Sequence, residues 1–136
     1  VHGRVLGGPN GLAGEWGHNP LPWARGDEWP GPACYCGRHG CLETWLSGPG
    51  MAADHARHGG ATLTARQIAE RAQAGDAACA ATQDRWLDRL ARGLAHVINL
   101  LDPDVIVLGG GLSLIEPVYT ELPQRLPAHV FSGGLQ

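Results

Sequence analysis

Three of the four cysteines in this chain lie within one stretch of eight residues, at Cys34, Cys36 and Cys41. Gly37 and Gly40 lie between them, and glycine lets the backbone turn tightly enough for the three thiols to converge. Such clustering in a chain without secretory features favours metal binding over disulfide formation as the interpretation. Zinc in proteins prefers a tetrahedron of thiolate and imidazole ligands. The spacing therefore predicts a zinc site that contains these three cysteines.

The fourth zinc ligand is predicted to be His18, from among the seven histidines of the chain. It ends a second glycine-rich turn, and the loop that follows is long enough to bring it back to the cysteines. His39 lies inside the cysteine loop, where chelation would strain the backbone. Because thiolates must lose their protons to bind zinc, we expect the affinity to fall in acid. The alternatives are free core cysteines or an opportunistic disulfide, and Cys79 is expected to be a small buried hydrophobe on a helix.

The composition changes along the chain. Residues 1–47 are rich in glycine, proline and tryptophan, whereas residues 48–136 are rich in alanine, leucine and arginine. We expect a sugar- and zinc-binding loop region in the first part, for reasons given below, and a helical and α/β scaffold in the second. Within the loop region we expect a short strand over residues 1–6 and mostly irregular structure over residues 12–41.

Helix signals dominate the middle of the chain. We expect a short helix over residues 51–58, after a turn. Thr64 and Gln67 have the spacing of a capping box, which predicts a helix from there to about residue 74. A longer helix should follow Asp76, because apolar residues recur at helical spacing. Pro103 ends it, since proline disfavours helix at the residue before it. The apolar positions of the longer helix are Trp86, Leu90, Leu94, Val97, Ile98 and Leu101.

Residues 105–108 are four consecutive aliphatic residues, which predicts a strand buried on both faces, as in a parallel sheet. Gly109, Gly110 and Gly111 end this strand, and Ser113 is expected to cap a helix that runs to about residue 126. This order of elements is typical of α/β folds. Ligands of open α/β sheets bind beyond the carboxyl ends of the strands, which makes the three glycines a candidate binding loop. The alternative is an ordinary strand-to-helix turn.

Charge and hydropathy argue against several classes of function. The net charge is -3 and the basic residues are scattered, so neither nucleic acid nor an anionic membrane is expected as a partner. No apolar stretch approaches the ~20 residues that span a bilayer. The N-terminus lacks the features of a signal peptide, and the missing initiator methionine indicates a chain that starts inside a gene product or is processed. We expect a reducing, cytoplasmic setting.

Three segments together resemble the ROK family of repressors, open reading frames and sugar kinases. Residues 7–18 are similar to the first half of the family signature, and residues 34–43 are similar to its second half. Residues 102–111 resemble the family's adenosine-side strand and loop. Residues 17–23 further resemble the bacterial fructokinases of the manno(fructo)kinase kind. One departure is Pro9, in a loop whose length is free to vary.

The resemblance implies the C-terminal lobe of a ribonuclease-H-like, actin-like sugar kinase, of the α/β class. In such a kinase ATP, with magnesium, phosphorylates a hexose, and fructose to fructose 6-phosphate is the expectation here. The resemblance further implies that a homodimer forms, that the three glycines approach the nucleotide, and that the sugar is held by Glu15, His18 and Glu43. Carboxylates suit this role, because they accept hydrogen bonds from two hydroxyls at once. His18 would bind zinc through one ring nitrogen and face the sugar with the other. Without the resemblance, both glutamates would be interpreted as solvated loop charges.

The phosphate-binding opening of the family and the Asn-Asp pair that supplies its catalytic base are not found in this sequence. Phosphoryl transfer depends on positioning and charge neutralisation, so we expect residues 1–136 alone to lack kinase activity, and no residue is assigned as catalytic. Two other functions stay open. One is the sugar-sensing lobe of a ROK transcriptional repressor, and the other is a stand-alone zinc-binding interaction domain.

Overall fold

Helices make up most of the regular structure between residues 3 and 131, the range that this computed structural model describes. The first forty residues of that range are mostly irregular, as predicted, and contain two short 3-10 turns, at Trp16–His18 and Gly26–Glu28. The helices that follow are α1 (Leu42–Leu46), α2 (Gly48–Arg57), α3 (Ala65–Gln73), α4 (Ala77–Leu101), α5 (Pro117–Thr120) and α6 (Leu122–Arg125). Two more 3-10 turns, Gly111–Leu114 and Leu126–Ala128, flank α5 and α6. Within the described range no helix is long and apolar enough to cross a membrane.

Helices α3 and α4 begin where the sequence predicts, and both starts are capped. The Thr64 hydroxyl accepts a hydrogen bond from the Gln67 amide at 3.3 Å, and the Gln67 side chain accepts one from the Thr64 amide at 2.9 Å. Asp76 caps α4 by accepting from the Cys79 amide at 3.0 Å. Both caps satisfy amide groups that a helix start leaves without partners. Helix α4 ends at Asp102, which adopts a left-handed φ of 43°.

Helix α4 is the centre of the core. Its buried face carries Trp86, Leu90, Leu94 and Ile98, as its apolar spacing predicts, whereas Val97 is half-buried and Leu101 is 65% exposed, against the prediction. The other core side chains come from the neighbouring helices and include Leu42, Trp45, Leu46, Met51, Ile68, Val118 and Leu122. Cys79 is buried on α4, as predicted. Burial of these apolar side chains supplies the main driving force for folding.

Gly93 of α4 allows the N-terminal loop to pack closely against this helix. A Cβ atom at this position would lie 2.9 Å from Cζ2 of Trp16 and 3.1 Å from a methyl carbon of Leu42. Because both contacts would be tighter than normal packing allows, only glycine leaves room for the indole there. The 3-10 turn that carries Trp16 and His18 is therefore seated directly against the helical core.

A buried ion network also joins the loop to α4. Glu28, only 7% exposed, accepts hydrogen bonds from Arg89 at 2.8 Å and from Arg92 at 2.7 Å. Arg92 further donates to the carbonyl oxygens of Pro22 at 3.0 Å and Trp23 at 3.1 Å. Burial by itself would raise the pKa of Glu28, but the two arginines outweigh it and lower the pKa to about 2.

The strand predicted over residues 105–108 is wrong. Val105 and Val107 are 72% and 85% exposed, while Ile106 and Leu108 are half-buried against the core. A strand needs a neighbouring strand to satisfy its backbone, and residues 3–131 hold only two isolated β-bridges, Pro20 with Cys41 and Ala33 with His39. The strand predicted over residues 1–6 is also not formed from residue 3 onward, and residues 1 and 2 lie outside the described range.

Two helix boundaries differ from the predictions. Helix α2 starts at Gly48 instead of residue 51, because the Ser47 hydroxyl caps it at 3.1 Å from the Gly50 amide, and the first turn tolerates Pro49. Ser113 does not cap one long helix; its hydroxyl donates to the Gly110 carbonyl at 2.7 Å. Prolines at 117, 123 and 127 divide the rest of that segment into short pieces, since proline cannot continue a helix from within.

Candidate metal centre and its outer face

Two loops meet where the cysteine segment joins α1. Leu21 donates its amide hydrogen to the Gly40 carbonyl at 3.0 Å, and Leu42 donates to the Asn19 carbonyl at 2.9 Å. These bonds hold residues 19–21 beside residues 40–42, so that His18 lies next to Cys41. The hydrogen bond from the Gly37 amide to the Cys34 carbonyl, at 3.0 Å, closes a turn that carries the other two cysteines.

The predicted zinc ligands converge. One ligand atom from each of His18, Cys34, Cys36 and Cys41 lies within 4.8 Å of all the others. Cys36 Sγ is 3.6 Å from Cys41 Sγ, and Cys34 Sγ is 3.6 Å from His18 Nδ1. Sulfurs bound ~2.3 Å from a zinc ion in a tetrahedron lie ~3.8 Å apart, so the donor set has the size of a zinc site. His39 is exposed and is not in the group.

The thiols differ in their electrostatic surroundings. A backbone hydrogen bond from Arg38, aided by the neighbouring thiols and His18, lowers the pKa of Cys36 to about 7. Burial and the neighbouring thiols raise the pKa of Cys41 to about 12. Three thiolates this close together repel one another unless a cation lies between them. A divalent metal ion between the sulfurs would offset that repulsion, so the donor set fits such an ion.

The second ring nitrogen of His18 points away from the cysteines. Its Nε2 lies 3.6 Å from Glu43 Oε2 and 3.8 Å from Glu15 Oε2. Glu43 belongs to α1, two residues after Cys41, and Glu15 immediately precedes the 3-10 turn that ends at His18. The structure thus brings the three predicted sugar-binding residues together. Both carboxylates are accessible to solvent, with side chains 61% exposed for Glu15 and 42% for Glu43.

Tyr35 completes this outer face, and the sequence did not single it out. Its hydroxyl is 2.8 Å from His18 Nε2, and its ring meets the imidazole edge-on at 5.0 Å between centroids. Partial desolvation and the negative charges of Glu43, Cys34 and Glu15 raise the pKa of Tyr35. Its position between two predicted ligands was the available signal, because it places the residue, though not the direction of its side chain, beside the cluster.

The three glycines predicted to approach a nucleotide lie in an irregular segment instead of at the end of a strand. Gly109, Gly110 and Gly111 line a groove of about 1240 Å³ between that segment and helices α3 and α4. Gly110 has a φ of 84°, a backbone conformation that residues other than glycine rarely adopt. Trp16 lines the same groove, so one end of the groove lies two residues from His18 along the chain.

Comparison with known proteins gives consistent matches. A family model described as the ROK family matches residues 1–134. An N-acetyl-D-glucosamine kinase of Yersinia pseudotuberculosis is 39% identical over 134 residues, which cover 96% of this chain and 44% of the relative. The crystal structure of a ROK hexokinase from Thermus thermophilus superposes with a TM-score of 0.80 and 32% identity, covering 95% of this chain and 42% of the hexokinase.

A second solved structure is a ROK family transcriptional regulator, a homologue of the E. coli MLC protein. It is similar with a TM-score of 0.77 and 25% identity, over 96% of this chain and 34% of the regulator. The chain therefore spans less than half the length of each of these proteins.

Proposed function

The chain belongs to the ROK family, and from this premise we propose that the protein it comes from transfers a phosphoryl group from ATP to a sugar hydroxyl. One observation carries the proposal most directly. His18 faces the cysteine cluster with Nδ1 and faces Glu15 and Glu43 with Nε2. Such an arrangement joins a structural metal site to a set of groups that recognises hydroxyls.

The sugar would be held by the two carboxylates and the imidazole. Carboxylates accept hydrogen bonds from hydroxyls. Two carboxylates close to the same nitrogen of His18 therefore favour a ligand with several hydroxyls. With Nδ1 of His18 bound to a metal, Nε2 must carry the hydrogen and can donate it to a sugar oxygen. Glu15, His18 and Glu43 thus would orient the sugar by both accepting from it and donating to it.

Zinc is the metal proposed for His18, Cys34, Cys36 and Cys41. When bound, it would supply a structural cross-link and would fix the orientation of the His18 ring. Because Cys41 directly precedes α1, the same cross-link would fix Glu43 on that helix relative to Glu15 on the loop. The pair of carboxylates would then keep a constant separation as the sugar binds.

The nucleotide side is proposed to be the groove lined by Gly109, Gly110 and Gly111. Its volume of about 1240 Å³ is ample for a nucleotide, and Trp16 connects it to the sugar-facing residues. Magnesium would accompany ATP, and phosphoryl transfer would depend on positioning the two substrates in line. The catalytic base is proposed to lie outside residues 1–136, within an actin-like fold of which this chain forms the C-terminal lobe, and a homodimer stays a prediction.

The preferred sugar is proposed from the relatives. The similar Yersinia protein is named as an N-acetyl-D-glucosamine kinase, which favours an N-acetylated hexosamine, and the Thermus protein is named as a hexokinase. The fructose expectation depends only on the likeness of residues 17–23 to fructokinases, and neither name supports it. A sugar-sensing domain of a repressor is the second candidate, favoured by the likeness to the regulator at a TM-score of 0.77.

The test is ATP-dependent phosphorylation by the full-length protein, offered N-acetylglucosamine, glucose, mannose and fructose in turn. We expect turnover of at least one sugar, and Glu43→Gln should lower kcat/KM about 10- to 100-fold, the range for losing a hydrogen bond to a charged group. Glu121→Gln is the control, because Glu121 lies far from Glu43 along the chain and forms an ion pair with Arg125. Sugar binding without any turnover would favour the repressor function instead.

A further inference from the structure

Tyr35 combines an exposed ring with an anchored hydroxyl. The residue is 83% exposed, yet its hydroxyl lies 2.8 Å from His18 Nε2. A surface tyrosine gains little from burying its ring here, so polar interactions of the hydroxyl, with the imidazole of His18 and with Glu43, fix the side chain. The ring stands edge-on to the imidazole, with an interplanar angle of 89°.

Under the proposed function, a sugar hydroxyl bound to His18 Nε2 would need the position that this hydroxyl occupies. The Tyr35 hydroxyl contacts the ring nitrogen that lies 3.6 Å from Glu43 and 3.8 Å from Glu15. A phenol hydroxyl has one hydrogen to donate and lone pairs to accept, as a sugar hydroxyl has. With a metal on Nδ1, as proposed above, Nε2 would carry the hydrogen and would donate it to Tyr35, so the single hydrogen that His18 offers to a sugar would already be engaged.

The backbone around Tyr35 allows its side chain to leave without disturbing the cysteines. Cys34 donates its amide hydrogen to the Arg38 carbonyl at 2.8 Å, and Gly37 donates to the Cys34 carbonyl at 3.0 Å. These two bonds fix the turn on both sides of Tyr35, and the side chain projects from it into solvent. Rotation about the side-chain bonds would therefore free His18 Nε2 while the turn stays closed.

We propose that Tyr35 is an internal competitor for the sugar site: its hydroxyl holds His18 Nε2 in the empty protein and is displaced when a sugar hydroxyl binds. The inference depends on the proposed sugar-binding function. The competing hydrogen bond lowers sugar affinity by a constant factor and acts before phosphoryl transfer. It also excludes ligands that cannot replace the phenol with a hydroxyl of their own, which makes Tyr35 a specificity-determining residue.

The test compares the full-length wild-type protein with Tyr35→Phe, which keeps the ring and removes the hydroxyl. Tyr119→Phe is the matched control, because Tyr119 is also exposed and its hydroxyl donates to the Ser113 carbonyl instead. Dissociation constants for N-acetylglucosamine and glucose are measured by calorimetry, together with KM, kcat and bound zinc.

We expect Tyr35→Phe to bind the sugar about 2- to 10-fold more tightly, the range that one ordinary hydrogen bond supplies. KM should fall with the dissociation constant, while kcat and the zinc content stay as in the wild type. A near-ultraviolet difference spectrum on sugar addition should contain a tyrosine contribution that Tyr35→Phe lacks. Unchanged or weaker sugar binding by Tyr35→Phe, with its zinc retained, would overturn the inference and leave the proposed function standing. Failure of the wild type to bind any sugar would overturn both.

Discussion

At the scale of single residues, Glu28 shows how a loop without regular structure is fixed to a helix. Its carboxylate accepts hydrogen bonds from Arg89 and Arg92 of α4, and Arg92 also donates to two loop carbonyls. The charges are almost fully buried, so each depends on the others for compensation. Removing one partner leaves the remaining charges without the interactions that replaced their hydration.

Neutralising Glu28 should therefore destabilise the protein. We expect Glu28→Gln to lower the free energy of unfolding by about 1.5–3 kcal/mol, because Arg89 and Arg92 lose their shared counter-ion but keep Asp54 and Asp88 as partners. Urea unfolding of the full-length protein, followed by tryptophan fluorescence, measures the change. Asp84→Asn serves as the comparison, since its ion pair with Arg125 is exposed and should contribute less than about 1 kcal/mol. Equal effects of the two substitutions would contradict a structural role for the buried network.

The same carboxylate predicts an acid dependence of stability. The pKa of Glu28 is lowered from 4.5 to about 2 by the arginines, against burial, which raises it. A lowered pKa in the folded state stabilises the protein fully above pH 4.5, and the stabilisation is lost as the pH falls from 4.5 towards about 2. The shift corresponds to about 3 kcal/mol in unfolding free energy. Titrating the urea midpoint across this range should show a smaller loss in Glu28→Gln than in the wild type, because Asp54 and Asp76, whose pKa values are also lowered, still titrate in both proteins.

At the scale of elements, local signals succeeded where the element satisfies its own hydrogen bonds. Thr64 and Asp76 mark the starts of α3 and α4 because a cap acts within three residues of its position. The strand prediction for residues 105–108 failed because a strand needs a neighbouring strand, and the spacing of residues along the chain does not reveal one. The ion pairs of Glu28 were also missed, since they join residues 61 and 64 positions apart with no periodic pattern between them.

The candidate site was predictable to a similar degree. His18 could be inferred because it ends a glycine-rich turn, because the loop that follows can return to the cysteines, and because three thiols leave one ligand missing. The proximity of Glu15 and Glu43 to its second nitrogen came only through the resemblance to the ROK family. Tyr35 was not predicted as part of the site, because its contact with His18 depends on the direction of its side chain, which the spacing of the ligands does not determine.

The capping box of α3 gives a prediction at this scale. Thr64→Ala should lower the free energy of unfolding by about 1 kcal/mol, because it leaves the Gln67 amide without its partner. Ser113→Ala is the matched control, because the Ser113 hydroxyl caps no helix and donates to the Gly110 carbonyl. Thermal unfolding of both variants of the full-length protein measures the difference. A larger effect at Ser113 than at Thr64 would contradict the assigned cap.

At the scale of the whole molecule, several contacts attach the N-terminal loop to the helices, among them an apolar contact, an ion network and the cysteine cluster. Trp16 packs in the space that Gly93 leaves, Glu28 joins the arginines of α4, and the cysteine cluster lies at the start of α1. The first two attachments are made by the polypeptide alone, whereas the third is proposed to need zinc. Loss of the metal should accordingly loosen one part of the loop and leave the rest of the core in place.

Limited trypsin digestion of the full-length protein, with and without a chelator, can separate these contributions. Arg38 lies in the cysteine loop, and Arg66 lies on α3 with an ion pair to Glu70. Structural zinc sites contribute ~10–16 kcal/mol of apparent binding free energy at pH 7, so removing the ion should raise cleavage after Arg38 at least about tenfold by opening this loop locally. Cleavage after Arg66 should change less than about twofold, because α3 packs on α4 without help from the cluster. Acid should act like the chelator, since protons compete with the metal for the thiolates. Equal cleavage after Arg38 with and without the chelator, in protein shown to lose its zinc, would mean that contacts of the polypeptide, such as those of Trp16 and Glu28, hold the loop without the metal.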